Sequence, residues 1–137
     1  MKNFVTLWVI CLLCACTNGS TGVSSEEAEK VKEVIKIEAE LANKALEGQN
    51  VDEMTKVIAV DFDGTDFVYT YEIDEEYLTI EKLKILEEEM TNYQKQIWKS
   101  NPQLANLKKN LNRINGKVVY KYTGSESKKT VTIAFEP

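Results

Sequence analysis

Apolar residues recur every three or four positions in three stretches of the chain, which is the spacing of helices that bury one face. The first stretch follows Ser24, a residue type that caps helix N-termini, and Glu27 stands three positions later, as in a capping box. Gly48 ends the stretch. The sequence therefore predicts a long amphipathic helix near the start of the folded part.

The other two helical stretches follow each other in the second half of the chain. One is predicted from about Thr79 to Lys99, with an apolar stripe formed by Ile80, Leu83, Leu86, Met90, Tyr93 and Ile97. The next begins at Asn101 and Pro102, a capping residue followed by proline in the first turn. It ends at Gly116.

Strict alternation of apolar and polar residues predicts two β-hairpins. In the first, Asp63–Asp66 forms the loop, and Ile58, Val60 and Phe62 are expected to share one face with Phe67, Tyr69, Tyr71 and Ile73. In the second, the loop 124–127 separates Val118, Tyr120 and Tyr122 from Val131, Ile133 and Phe135. Lys121 stands between Tyr120 and Tyr122, and successive side chains of a strand point to opposite faces. We therefore expect both tyrosines to face the core.

The element order α-β-β-α-α-β-β predicts an α+β fold. We expect one antiparallel four-stranded sheet, built from the two hairpins, with the helices packed on one face. The segments VYTY (68–71) and VYKY (119–122) are similar, which suggests two helix-plus-hairpin halves.

The chain begins with a short apolar segment, residues 4–15, which follows a basic second residue. This is shorter than the roughly 20 residues of a membrane-spanning helix and is typical of a cleaved signal peptide. The sequence Leu13-Cys14-Ala15-Cys16 resembles a bacterial lipobox. The resemblance implies cleavage before Cys16 and lipidation of its sulfur, so that this residue attaches the protein to the membrane. The alternative is an ordinary secretory signal with incidental cysteines.

These features predict a signal peptide at 1–15, a lipidated cysteine and flexible tether at 16–24, and one domain at 25–137. All three cysteines lie at or before position 16, so the mature domain has no thiol for a disulfide or a metal site. In the usual sorting rule for bacterial lipoproteins, Asp directly after the lipidated cysteine retains the protein in the inner membrane. Thr17 stands at that position here, which indicates the outer membrane of a Gram-negative bacterium.

Charge and composition restrict the possible functions. Histidine is absent, which excludes Ser–His and Cys–His catalysis and removes the commonest zinc ligand. Residues 16–94 hold 20 acidic and 7 basic side chains, whereas residues 95–137 hold 9 basic and 2 acidic ones. Either the two halves complement each other, or an acidic face meets a basic protein partner. The net charge of −5 argues against nucleic acid as a partner.

The segment VIAVDFDGT (57–65) resembles the first motif of the haloacid-dehalogenase phosphohydrolases. The resemblance implies that Asp61 is the nucleophile, Asp63 the general acid–base, and Mg²⁺ the cofactor. The remaining motifs of that family are missing from the 72 residues after Thr65, and Asp-Gly between alternating runs favours a hairpin. A loose cation site at Asp61, Asp63 and Asp66 is a further alternative.

Two more acidic groups are interpreted structurally. The run 74–76 is expected to lie near a helix N-terminus, which favours negative charge. The run 87–89 is expected to lie on a helix face that is exposed to solvent. Neither predicts a catalytic residue, a metal or a cofactor.

The segments FVYTYEIDEEYLTIEKLK, KSNPQLANLKKNL and GKVVYKYTGSESKKTVTIAF resemble small uncharacterised lipoproteins of Gram-negative gut bacteria. The resemblance implies a fold and no catalytic residues. We therefore expect a non-catalytic, lipid-anchored envelope protein that binds a protein or small ligand. The alternatives are a periplasmic immunity or inhibitor protein against a toxin or hydrolase, and the Asp61/Asp63 phosphohydrolase.

Overall fold

A computed structural model of the protein describes residues 23–137. The helices are α1 (Ser25–Leu46), α2 (Ile80–Ile85), α3 (Glu87–Ser100) and α4 (Ala105–Arg113), with a 3-10 turn at Pro102–Leu104. The strands are β1 (Thr55–Phe62), β2 (Phe67–Ile73), β3 (Val118–Gly124) and β4 (Thr130–Phe135). The predicted signal peptide, Cys16 and most of the tether lie outside the described residues.

Helix α1 has the ends that its sequence predicts. The Ser24 hydroxyl accepts a hydrogen bond from the Glu27 backbone N–H at 3.3 Å, which caps the first turn. After the last turn, Gly48 has a φ of 79°, a left-handed conformation that glycine adopts without steric cost. Val31 and Ile35 belong to the apolar stripe of α1, and both are buried against the sheet.

The four strands form one mixed sheet in the order β1-β2-β3-β4. Both predicted hairpins are present, with β1 antiparallel to β2 and β3 antiparallel to β4. Strands β2 and β3, however, are parallel, so the expectation of a purely antiparallel sheet is wrong. The helices between them return the chain to the end of the sheet where β2 begins, and β3 therefore runs in the same direction as β2.

The similar segments 68–71 and 119–122 lie side by side in this parallel pair. One belongs to the second strand of the first hairpin, and the other to the first strand of the second hairpin. They do not occupy equivalent positions in two halves, so the similarity gives no support to a helix-plus-hairpin repeat.

A bulge in β1 changes which of its side chains face the core. The pairing with β2 shifts between Val57 and Ala59, so that Val57 and Val60 are both buried. Ile58 lies at the bulge and is exposed, contrary to the expected alternation. The alternation after the bulge continues as predicted, with Val60 pairing opposite Tyr69.

The predicted helix 79–99 is two helices. The helical pattern is interrupted at Leu86, whose φ and ψ are −89° and 4°, and α3 starts at the next residue. Ile80 and Leu83 are buried before the break, and Trp98 is buried after it. Leu86 and Tyr93 belong to the predicted stripe but are exposed, so the stripe expected of one continuous helix is wrong at these two positions.

One apolar core lies between the helices and the inner face of the sheet. Phe67, Leu111, Val118 and Ile133 are among its fully buried side chains. On the opposite face of the sheet, Lys121 and the alternate residues of β4 are exposed. Every helix within residues 23–137 is too short or too polar to cross a bilayer.

Candidate functional site

The aspartates of the phosphohydrolase-like motif lie in and around the β1–β2 loop. One oxygen of Asp63 accepts hydrogen bonds from the backbone N–H groups of Thr65 at 2.9 Å and Asp66 at 2.7 Å. Asp61 is exposed on the outer side of β1 and accepts from the N–H of Phe62 at 2.8 Å. Asp63 thus stabilises the turn of an antiparallel hairpin, which is the structure that Asp-Gly between alternating runs favoured.

Asp66 connects this loop to the start of β3. Its carboxylate accepts a hydrogen bond from the Lys117 backbone N–H at 2.8 Å. Next to this contact, the Gly116 Cα faces the Thr65 carbonyl so closely that a Cβ would overlap it. Within residues 23–137, no group of three or more acidic side chains is arranged to hold a metal ion.

Four tyrosines form a stacked ladder on the core face of the two central strands. The ring centroids of Tyr69 and Tyr120 are 5.0 Å apart, and those of Tyr71 and Tyr122 are 5.2 Å apart. Parallel, in-register pairing places these rings side by side. The inward orientation predicted from the alternation is confirmed, since Tyr120 and Tyr122 are buried. Burial raises the pKa of Tyr69 and of Tyr122 to about 12, so both phenols stay neutral at physiological pH.

The ladder is joined to α3 by one buried hydrogen bond. The Trp98 indole N–H donates to the Tyr120 hydroxyl oxygen at 2.7 Å. The Trp98 ring also packs edge-on against Phe135, at a centroid distance of 6.4 Å. Trp98 therefore fixes the C-terminal half of α3 against the sheet.

The acidic run 74–76 has a role that the sequence did not indicate. The Glu75 carboxylate accepts hydrogen bonds from the backbone N–H groups of Ser127 at 2.6 Å and Glu126 at 2.7 Å, in the β3–β4 loop. The Ser127 backbone N–H is the main cause of the lowered pKa of Glu75. A Cβ on Gly124 would lie 2.5 Å from this carboxyl group, so the glycine leaves room for it. Helix α2 is instead capped by Thr79.

Ion pairs between the two halves of the chain account for part of the charge asymmetry. Arg113 pairs with Glu27, Lys128 with Glu72 at 3.7 Å, and Lys129 with Glu81 at 2.8 Å. The halves thus complement each other at these points, as one of the two sequence interpretations expected.

Among the described residues, six basic side chains of the second half take part in none of these ion pairs, and three of the six line one groove. This groove, of about 740 Å³, lies where α3 ends, the 3-10 turn follows and α4 begins, and we call it the basic groove. Its lining residues are Val23, Trp98, Lys99, Ser100, Asn101, Pro102, Ala105, Lys108, Lys109, Asn112 and Arg113. The lining contains four cationic side chains and no carboxylate.

Three of those cations are uncompensated within the described part of the chain. Arg113 pairs with Glu27, but no ion pair found among residues 23–137 involves Lys99, Lys108 or Lys109. A second depression on the same side is lined by Lys95 and again by Lys99. The geometry suits a negatively charged group, since lysine ammonium groups bind phosphate as mobile point charges.

Sequence reasoning did not identify the basic groove. The signal was present, because residues 95–125 contain seven basic and no acidic side chains. The turn at Asn101 brings these residues together. The Asn101 side-chain oxygen accepts a hydrogen bond from the Gln103 N–H at 3.0 Å, which starts the 3-10 turn. This turn brings Lys99 on α3 and the lysines of α4 to one groove.

Comparisons with known proteins give information about the fold. No protein-family model matches the chain, and no curated protein matches it in sequence. A solved structure from Pseudomonas aeruginosa, described as that of a "putative secreted protein", is similar with a TM-score of 0.67 at 11% sequence identity. The match covers 84% of this chain and 96% of that one. The protein therefore has the same mixed α+β architecture as that solved structure.

Proposed function

We propose that this protein is a lipid-anchored component of the bacterial cell envelope whose folded domain is a non-catalytic binding module. The proposal includes lipidation of Cys16 and residence at the outer membrane of a Gram-negative bacterium. The lipobox-like sequence supports the anchor, and the likeness to a secreted protein is consistent with export. We further propose that the basic groove is the binding surface and that its partner is anionic.

The observation that carries the binding proposal is the convergence of Lys99, Lys108 and Lys109 on one groove with no carboxylate in its lining. Like charges in proximity repel, and folding gains nothing from collecting them at one place. An anionic ligand would offset that repulsion. In contrast, two of the four ladder tyrosines are buried in the core and the other two pack against it, and the Asp63 carboxylate is already bonded to its own loop.

Intact mass spectrometry of the protein from a Gram-negative host tests the anchor. The expected mass lacks residues 1–15 and carries a diacylglyceryl group and an acyl chain on Cys16. In the variant Cys16→Ser, this lipid mass should be absent and the protein should leave the membrane fraction. A wild-type protein that is cleaved elsewhere and carries no lipid would refute the anchor.

Crosslinking in the native host, followed by affinity purification, tests the binding surface. The triple variant Lys99→Gln, Lys108→Gln, Lys109→Gln should lose the anionic partner. The matched control Lys44→Gln, Lys56→Gln, Lys121→Gln removes the same charge from exposed sites elsewhere and should keep it. Equal recovery of the partner by both variants would exclude the basic groove as the binding surface.

A periplasmic inhibitor function is the second candidate, and it would use the opposite charge. Glu87, Glu88 and Glu89 are all exposed at the start of α3, and no ion pair found among residues 23–137 involves them. A basic toxin or hydrolase would be attracted to this surface. The same purification would then recover a basic protein, and the variant Glu87→Gln, Glu88→Gln, Glu89→Gln would lose it.

A further inference from the structure

The position where the chain enters the domain relates the basic groove to the membrane. Val23 is one of the groove's lining residues, and α1 begins two residues later. Cys16, the proposed lipid attachment point, precedes Val23 by seven residues. Any membrane anchor at Cys16 is therefore connected to the domain at the edge of the groove.

The length of this connection limits how far the groove can be from the lipid. Seven residues span at most about 25 Å when fully extended, and a flexible segment of that length has a mean end-to-end distance of roughly 15 Å. A domain of this size has a radius of gyration of about 13 Å. The distance from Val23 to the opposite side of the domain therefore exceeds the mean end-to-end distance of a seven-residue segment. The surface around Val23 is consequently the one held nearest to the bilayer.

The charges around Val23 favour an anionic membrane surface. The acidic residues in the first two turns of α1 are each paired with a cation: Glu26 with Lys30, Glu27 with Arg113, and Glu29 with Lys32. The lysines of the basic groove have no such partners among the described residues. The surface nearest the bilayer therefore has a net positive charge, although the protein as a whole has a charge of −5.

We propose that the basic groove binds the phosphate headgroups of anionic lipids in the membrane that holds the lipid anchor, and so fixes the orientation of the domain. This inference rests on the proposed lipid anchor and names the anionic partner of the same groove. Lys99, Lys108 and Lys109 supply the charge, and the Asn112 amide is a further hydrogen-bond donor in the lining.

The expected effect follows from the charge and the tether. One lysine close to an anionic lipid surface strengthens binding by about fivefold, so three give on the order of a hundredfold. The tether keeps the groove at a high effective concentration near the lipid, which makes even this modest affinity sufficient to orient the domain. The opposite surface of the sheet would then face away from the membrane and be available to other molecules.

Lysine-specific acylation followed by peptide mass spectrometry tests the inference. The lipidated, full mature protein is reconstituted into vesicles of neutral phosphatidylcholine, and into vesicles that also contain one part in three of phosphatidylglycerol. We expect labelling of the three groove lysines to fall about tenfold in the anionic vesicles relative to the neutral ones. Labelling of Lys44, Lys56 and Lys121 should be unchanged. High salt should remove the protection, because it shortens the Debye length to about 3 Å at 1 M.

Matched variants separate lipid binding from simple proximity. Lys95, on the same side of α3, reports the orientation of the domain. In the triple variant Lys99→Gln, Lys108→Gln, Lys109→Gln, the protection of Lys95 by anionic vesicles should be lost. In the control variant Lys44→Gln, Lys56→Gln, Lys121→Gln, it should remain.

Three results would overturn the inference. The first is equal labelling of groove and reference lysines in anionic vesicles, and the second is equal protection in neutral and anionic vesicles. The third is full protection of the detergent-solubilised protein by millimolar inorganic phosphate, which would make the groove a site for a soluble anion. A protein without lipid on Cys16 would instead refute the anchor, and the intact mass shows this before any labelling.

Discussion

The hydrogen bond between Trp98 and Tyr120 allows a sharp test of the core. Among residues 23–137, no buried side-chain nitrogen or oxygen lacks a hydrogen-bond partner. The substitution Tyr120→Phe would remove the acceptor of the Trp98 N–H and keep the ring. Because Trp98 is only 3% exposed, water cannot replace the lost oxygen, and the indole N–H would be left unpaired in the core.

An unpaired buried donor costs about 1–3 kcal/mol of the free energy of unfolding. With a urea dependence of about 2 kcal/mol per M, the midpoint of unfolding should fall by roughly 1 M. Tyr71→Phe is the matched control, because it removes a hydroxyl from the same ladder, and Tyr71 is half-buried and has no hydrogen bond among those found. Its effect should stay within about 0.5 kcal/mol.

Equilibrium urea unfolding, followed by tryptophan fluorescence, measures both variants. Trp98 is the single tryptophan of the predicted mature chain, since the other one, Trp8, lies in the predicted signal peptide. Circular dichroism on the same samples checks that the transition is cooperative. If Tyr120→Phe and Tyr71→Phe change the midpoint equally, the hydrogen bond between Trp98 and Tyr120 does not stabilise the core.

Three further predictions concern packing and pH. Gly116→Ala would drive a Cβ into a backbone carbonyl of the β1–β2 loop, and should lower the thermal midpoint by several degrees. Ile35→Ala should cost about 2–5 kcal/mol in urea unfolding, whereas the exposed Ile37→Ala in the same helix should change little. Wild type should be more stable than Glu75→Gln at neutral pH, because backbone N–H groups lower the pKa of this carboxyl. The difference in thermal midpoint between wild type and Glu75→Gln should shrink as the pH falls below the ordinary glutamate pKa and through the lowered pKa of Glu75. Glu76→Gln is the control, and its thermal midpoint should not show this pH dependence.

Local sequence patterns predicted most of the secondary structure. The cap at Ser24, the turn at Asn101 and both hairpins are found where the residues indicated them. These features depend on hydrogen bonds and side-chain alternation within a few residues, so the local sequence contains the necessary information. The errors in these elements occurred where one residue interrupts the regular pattern, at the Ile58 bulge and the Leu86 break.

The candidate site was less accessible to sequence reasoning than the fold. A count of charges shows that residues 95–125 are basic, but it does not show which side chains converge. Glu75 illustrates the same limit, since its partners Glu126 and Ser127 lie about fifty residues away in the chain. The parallel pairing of β2 with β3 brings the end of β2 beside the β3–β4 loop, and this places the carboxylate against those N–H groups.

The sequence by itself determined the class of elements, the caps at Ser24 and Asn101, and the inward side of the tyrosine-bearing strands, because each depends on neighbours within one turn or one hairpin. The tertiary structure decided that β2 and β3 run parallel, and this in turn aligned Tyr69 with Tyr120. It also decided that the lysines of α3 and α4 meet beside Val23. Both outcomes depend on how the connecting helices pack on the sheet, and that packing is set by contacts between residues far apart in the chain.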